Sequence, residues 1–140
     1  MTEQEKISLC EKLKKTNLLP LAFIGDSVHT QFVREQVLAR HDCKMENYHN
    51  QAAKFCKASA QAEALKRISQ ILTDEEKEIV RRGRNAKPKH HAKNAESADY
   101  AYATAFEILI GFLYLSCQTE RLNEILKQSM QVEIDKNHAE

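Results

Sequence analysis

Both of the most apolar stretches of this 140-residue chain carry a single acid, and that combination leaves few ways to fold it. Asp26 lies in Leu-Ala-Phe-Ile-Gly-Asp-Ser-Val (21–28), and Glu107 lies in the middle of the run 101–115. A carboxylate set among apolar side chains is costly unless it is paired, hydrogen-bonded or bound to a metal. Both stretches have helical periodicity. Leu21, Ile24, Val28 and Phe32 recur at spacings of three and four within a helix expected from about Leu18 to Arg40. Asp26, Thr30, Val33 and Val37 are expected on its opposite side, so the helix packs on two faces. In the helix expected over 97–117, Phe106, Leu109 and Leu113 share one side, and Tyr100, Ala103, Thr104, Glu107, Gly111 and Tyr114 the other. The small residues around the acids (Ala22, Gly25, Ala103, Gly111) are expected to leave room for a large substrate.

The rest of the chain reads as helix too. With only three Gly and two Pro, a protein of many short strands and tight turns is disfavoured. Residues 3–15 form a modest amphipathic helix with Ile7, Leu9 and Leu13, ended by Thr16-Asn17. Residues 46–70 read as one alanine-rich helix. Thr73 and Glu76 form a capping box that opens a helix over 74–82, which Gly83 is expected to stop. A last helix is expected over about 119–135. The fold class is therefore all-α, in one domain over 1–140 with its core at about 17–130. The four cysteines (Cys10, Cys43, Cys56, Cys117) are scattered and read as reduced thiols of a cytoplasmic protein. No signal peptide is visible, and 101–115 is too short to span a bilayer, so no membrane partner is expected.

Net charge is only +1, but its distribution is uneven. Arg81, Arg82, Arg84, Lys87, Lys89 and Lys93 cluster with Asn85, His90 and His91, and no acid lies between Ile79 and Ala95. Pro88 breaks any helix there, so 83–96 reads as a basic loop suited to a polyanion. A plainer account also fits: Arg81 and Arg82 complement a helix dipole and the loop is solvated. His90 and His91 are adjacent and lack a third ligand, which argues against a metal site. His29 and His49 read as surface or packing residues. Ser27 lacks the Gly-x-Ser-x-Gly setting of an activated nucleophile. For the two acids, hard oxygen ligands suit Mg²⁺, which one or two carboxylates hold while water and phosphate complete the shell. Equally open is a purely structural role, with Asp26 bonded to a helix terminus and Glu107 paired with an arginine.

Phe-Ile-Gly-Asp-Ser-Val (23–28) resembles the signature helix of the ribonuclease III family, and Phe-Glu-Ile-Leu-Ile-Gly-Phe-Leu-Tyr-Leu (106–115) resembles that family's second acidic helix. Arg-Arg-Gly-Arg-Asn-Ala-Lys (81–87) is similar to a stretch of the short bacterial form, mini-ribonuclease III, and Thr-Glu-Arg-Leu-Asn-Glu-Ile-Leu (119–126) also fits. The resemblance covers roughly 17–130. It implies an all-α homodimer whose valley receives double-stranded RNA. Asp26 would stand at the catalytic aspartate and Glu107 at the metal-binding glutamate. Also implied are Mg²⁺ (or Mn²⁺) dependence, 5′-phosphate products and, for the short form, precursor large-subunit (23S) ribosomal RNA as substrate. Two further acids of full-length members are replaced here by Ala22 and Thr104, a reduction general in the short form. No residues remain after the last helix for a separate double-stranded RNA-binding domain, so the basic segment is expected to take over binding. Alanine substitutions there are expected to weaken binding and flatten its salt dependence. The alternatives are a non-catalytic helical module that binds double-stranded RNA and a helical protein-interaction domain.

Overall fold

The computed structural model describes residues 1–40, 44–86 and 95–130, with backbone alone at 95–97. Among these residues the chain is helical throughout and holds no strand: α1 (Glu3–Lys14), α2 (Leu19–Arg40), α3 (Met45–Cys56), α4 (Ala58–Ile68), a 3-10 turn (Ser69–Ile71), α5 (Asp74–Asn85), α6 (Ala95–Leu115) and α7 (Thr119–Ser129). The all-α expectation is met.

Helix α6 is the axis of the molecule. It packs against α2, α4, α5 and α7, while α3 lies on α2 and α4. Phe106, Ile108, Leu109, Ile110, Phe112 and Leu113 are all fully buried. Each removes a large apolar side chain from water, an effect of about 2 kcal/mol apiece. A helix apolar on every side can satisfy itself only at the centre of a bundle. A smaller apolar cluster of Val33, Val37, Ala52 and Met130 joins the far end of α2 to α3 and the end of α7.

Two glycines set how closely α2 and α6 approach. A Cβ on Gly25 would collide with the backbone carbonyl of Glu107, and one on Gly111 with the carbonyl of Leu21. These small residues therefore bring two backbones together; they do not hold space open for substrate. The buried stripe of α2 runs Leu21, Gly25, His29, Val33 and Val37, with Ile24, Val28 and Phe32 only half-buried. Close approach at Gly25 turned the helix away from the face that its larger apolar residues suggested.

Other boundaries differ from expectation for local reasons. The stretch 46–70 is two helices, because Lys57 adopts an extended backbone (φ −70°, ψ 156°) that ends α3 and begins α4. The two halves serve different neighbours, α2 for the first and α6 with α7 for the second. The capping box at Thr73 and Glu76 is present, but α5 runs on through Gly83 to Asn85. Gly83 is buried and its absent Cβ would lie 3.2 Å from Ala105 Cα, so it is a helix-contact residue and not a stop. The stop after α6 is Cys117, which takes the left-handed region (φ 60°). Its N–H donates to Tyr114 O (3.1 Å) and that of Gln118 to Leu113 O (3.0 Å), a closure that usually employs glycine.

Buried Glu76 accepts from Arg121 Nε (2.8 Å) and Nη2 (2.7 Å), which ties α5 to α7. Asn17 accepts from the Leu19 N–H (3.1 Å) at the start of α2. Helix α1 buries no residue of its own; it is held by Lys14–Glu75 (2.9 Å) and by Arg82, whose Nη1 donates to Lys14 O (2.7 Å). Cys10, Cys56 and Cys117 are free thiols, and Cys43 lies outside the described residues. The last helix is assigned to Ser129; 131–140 are not described.

Candidate active site

The close seam between α2 and α6 places Asp26 beside Glu107. Gly25, adjacent to Asp26, rests on the Glu107 backbone, so both acids emerge at the same level of the seam. Their carboxyl groups are hydrogen-bonded to each other. Asp26 is exposed and Glu107 is half-buried, so only one of them is shielded from water as its apolar surroundings suggested. Burial first, then the hydrogen bond and charge of Asp26, push the Glu107 carboxyl up to about 8 against an opposing hydrogen bond from Gln61. Burial and the neighbouring Asp26 charge thus favour the protonated form of the Glu107 carboxyl while no cation is bound. Among the described residues, none of the ion pairs involves either acid.

Two residues of this site escaped the sequence reading. Gln61 on α4 is 3% exposed and reaches Glu107 with its amide. Its Nε2 also lies 3.2 Å from Nδ1 of His29, which is 1% exposed. Burial drives the His29 imidazole down to about 4, opposed by the charge of Asp26, so the ring is neutral and Nδ1 can accept. The edge of His29 meets the ring of Phe106 at 4.9 Å between centroids. In the sequence, Gln61 is one polar residue in an alanine-rich helix, and its steps of four to Leu65 and seven to Ile68 are what put it on the buried face. Cys56 lies near, with Thr30 Oγ1 at 4.0 Å. Burial raises its thiol pKa, so it stands as an inert thiol.

Among the described residues no three His, Cys, Asp or Glu side chains converge. A divalent cation would therefore meet two protein carboxylates. That donor set fits a hard ion such as Mg²⁺, whose remaining positions are normally filled by water and phosphate oxygens. Thr104 is buried and Ala22 packs against the core, so neither position adds an acid to the pair.

The basic group divides. Arg81 and Arg82 lie in the last turns of α5, as expected, and Arg84 and Asn85 extend that helix instead of opening a loop. Arg81 makes a two-point contact with Glu78 (2.9 and 2.6 Å), and Arg82 is engaged with the end of α1. Arg84 is exposed, with its guanidinium 5.8 Å from the Tyr102 ring centroid, and Asn85 is exposed beside it. Lys87, Lys89, His90, His91 and Lys93 lie outside the described residues. His49 is exposed, as expected.

The ribonuclease III domain matches residues 19–118, which takes in both acids and the seam between them. The chain belongs to the ribonuclease III family. It is 47% identical over 114 residues to Mini-ribonuclease 3 of Thermoanaerobacter sp. (strain X514), covering 81% of this chain and 80% of the relative. With Mini-ribonuclease 3 of Brevibacillus brevis it shares 42% identity over 128 residues, 91% and 96% of the two chains. The crystal structure of a protein from Fusobacterium nucleatum superposes with a TM-score of 0.74 at 26% identity, covering 86% of this chain and 97% of that one. Membership of this ribonuclease family makes the chain an endoribonuclease, the enzyme class expected from its two acidic motifs. Among the described residues no helix is long and apolar enough to cross a membrane.

Proposed function

We propose that this ribonuclease III family member cleaves double-stranded RNA with Asp26 and Glu107 as the ligands of Mg²⁺ (or Mn²⁺), and that its physiological duplex is a precursor of the large-subunit (23S) ribosomal RNA. The contact between the Asp26 and Glu107 carboxyl groups carries this reading. When bound, the cation supplies a water of lowered pKa and offsets charge on the phosphate. Asp26, the exposed member, offers its oxygens from the solvent side, where a phosphodiester backbone can approach. Glu107 would hold the ion as a carboxylate, since a cation there would favour its charged form. The basic segment 81–93 holds the duplex by phosphate contacts and by A-form shape. Arg84 and Asn85 sit at the described edge of that segment, and Lys87, Lys89, His90, His91 and Lys93 continue it in sequence.

The working unit on this reading is a homodimer of one-domain chains in the cytoplasm. Phe23 is 81% exposed on α2, on the same helix face as Ser27 one turn on. Ser27 lines a groove of about 750 Å³ between α2, the end of α6 and α7, with Val28, Phe32 and Tyr114. An exposed phenylalanine beside an open apolar groove supports a self-complementary contact.

The test is cleavage of long double-stranded RNA with and without Mg²⁺, followed by sizing of the products and analysis of their ends. Wild-type protein should yield 5′-phosphate fragments only with the metal. Glu107→Gln should lose cleavage and keep duplex binding. Normal cutting by Glu107→Gln would refute the assignment. Duplex binding without any metal-dependent cutting would favour a non-catalytic module.

A further inference from the structure

Gln61 and His29 are both almost wholly buried polar residues, and they sit directly behind Glu107. A primary amide has two N–H donors on one atom and an acceptor oxygen on the other. Either end of the Gln61 side chain could turn toward Glu107, with opposite consequences. An N–H there grips the carboxylate, whereas a carbonyl oxygen there repels it.

We infer that Gln61 is a positioning residue that holds the Glu107 carboxylate at the α2–α6 seam in its ligating orientation, and that His29 fixes which end of the Gln61 amide faces it. The first link is the approach of the buried Gln61 side chain to the Glu107 carboxyl, which favours the charged form of the acid. The second is the 3.2 Å contact between Gln61 Nε2 and His29 Nδ1. In the tautomer with its proton on Nε2 a neutral imidazole accepts at Nδ1, and the amide nitrogen 3.2 Å away is then its donor. One N–H then donates to His29 and the other to Glu107. The ring is almost wholly buried and lies edge-on to Phe106. Three helices are thereby joined behind a single carboxylate: α2 through His29, α4 through Gln61 and α6 through Glu107. Asp26 is exposed, so the more sheltered acid is the one with a dedicated support.

This inference rests on the reading of Asp26 and Glu107 as metal ligands, and its test separates the two. The probe is Mn²⁺ alone, added to RNA-free protein and followed by the loss of the free-ion electron paramagnetic resonance signal. Gln61→Leu should weaken Mn²⁺ binding by about 10-fold or more, the usual consequence of removing a residue that orients a ligand. Its melting curve should stay cooperative, and its metal-free affinity for double-stranded RNA should be unchanged. In cleavage assays kcat should fall with little change in KM for RNA, and excess Mn²⁺ should restore part of the rate. His29→Leu should weaken Mn²⁺ binding as well, but should add nothing when combined with Gln61→Leu, because it acts through that amide. Should Gln61→Leu fail to fold, Gln61→Met supplies a flexible side chain of similar length and the same expected loss. Wild-type Mn²⁺ affinity in a folded Gln61 variant overturns the inference alone, provided that Glu107→Gln loses binding. Equal binding by wild type and Glu107→Gln overturns both the inference and the site beneath it. Additive losses in the double variant overturn the part given to His29.

Discussion

Glu107 carries the site and also makes it dependent on pH. Burial and Asp26 push its carboxyl up to about 8 in the fold, against 4.5 for an ordinary glutamate. The folded state therefore holds a proton that the unfolded chain has released, and stability falls as pH rises through that window. His29 works in the opposite sense. Its folded value near 4 lies below the ordinary 6.5, so stability is lost as pH falls from 6.5 toward 4. Above pH 6.5 the glutamate effect stands alone. In metal-free buffer, Glu107→Gln should raise Tm relative to wild type more at pH 8 than at pH 5, as read by calorimetry. An equal difference at the two pH values would remove the raised carboxyl. The sequence exposed both acids but not what lies behind them. Gln61 is 46 positions from its partner Glu107, and nothing local to either residue announces a hydrogen bond between them.

Glycine sets the close spacing of α2 and α6, and one buried ion pair adds a tie between α5 and α7. Gly25→Ala or Gly111→Ala would drive a methyl group into a backbone carbonyl of the facing helix. Each should cost about 3 kcal/mol or more in chemical denaturation. Gly83→Ala should cost less than either, because its nearest contact is 3.2 Å away and alanine regains about 1 kcal/mol of helix propensity. Arg121→Ala leaves Glu76 buried without its guanidinium. Burial pushes that carboxyl up, but hydrogen bonds from Arg121 and from the Thr73 N–H outweigh it, so its pKa is lowered overall. Loss of Arg121 should destabilise by about 3 kcal/mol at pH 7, and by less once acid has protonated Glu76. Urea melts at both pH values check it. The capping box at Thr73 was legible because its partners are three residues apart. The break at Lys57 was not, because no Gly or Pro marks it and only the separate packing of α3 and α4 requires it.

Taken entire, the molecule is a bundle wrapped on α6 with an apolar face left open along α2, α6 and α7. Phe23→Glu should convert the proposed homodimer to single chains, as read by light scattering coupled to size exclusion. It should also lower cleavage more than it lowers Tm, since Phe23 is 81% exposed and contributes little to the fold of one chain. A variant that keeps the mass of two chains would place the contact elsewhere. The helical pattern did not announce this exposure, because Phe23 belongs to neither of the two stripes that the spacing of α2 picks out.

Periodicity, poverty in glycine and proline, and two acidic motifs in order were enough to determine an all-α chain of the ribonuclease III family, because helical spacing and short motifs are local properties of the chain. Tertiary structure alone decided that Gly25 and Gly111 are contact points, that Gly83 continues its helix, and that Gln61 and His29 stand behind Glu107. Each of those depends on which helix lies opposite, and close packing between segments distant in sequence settles that choice.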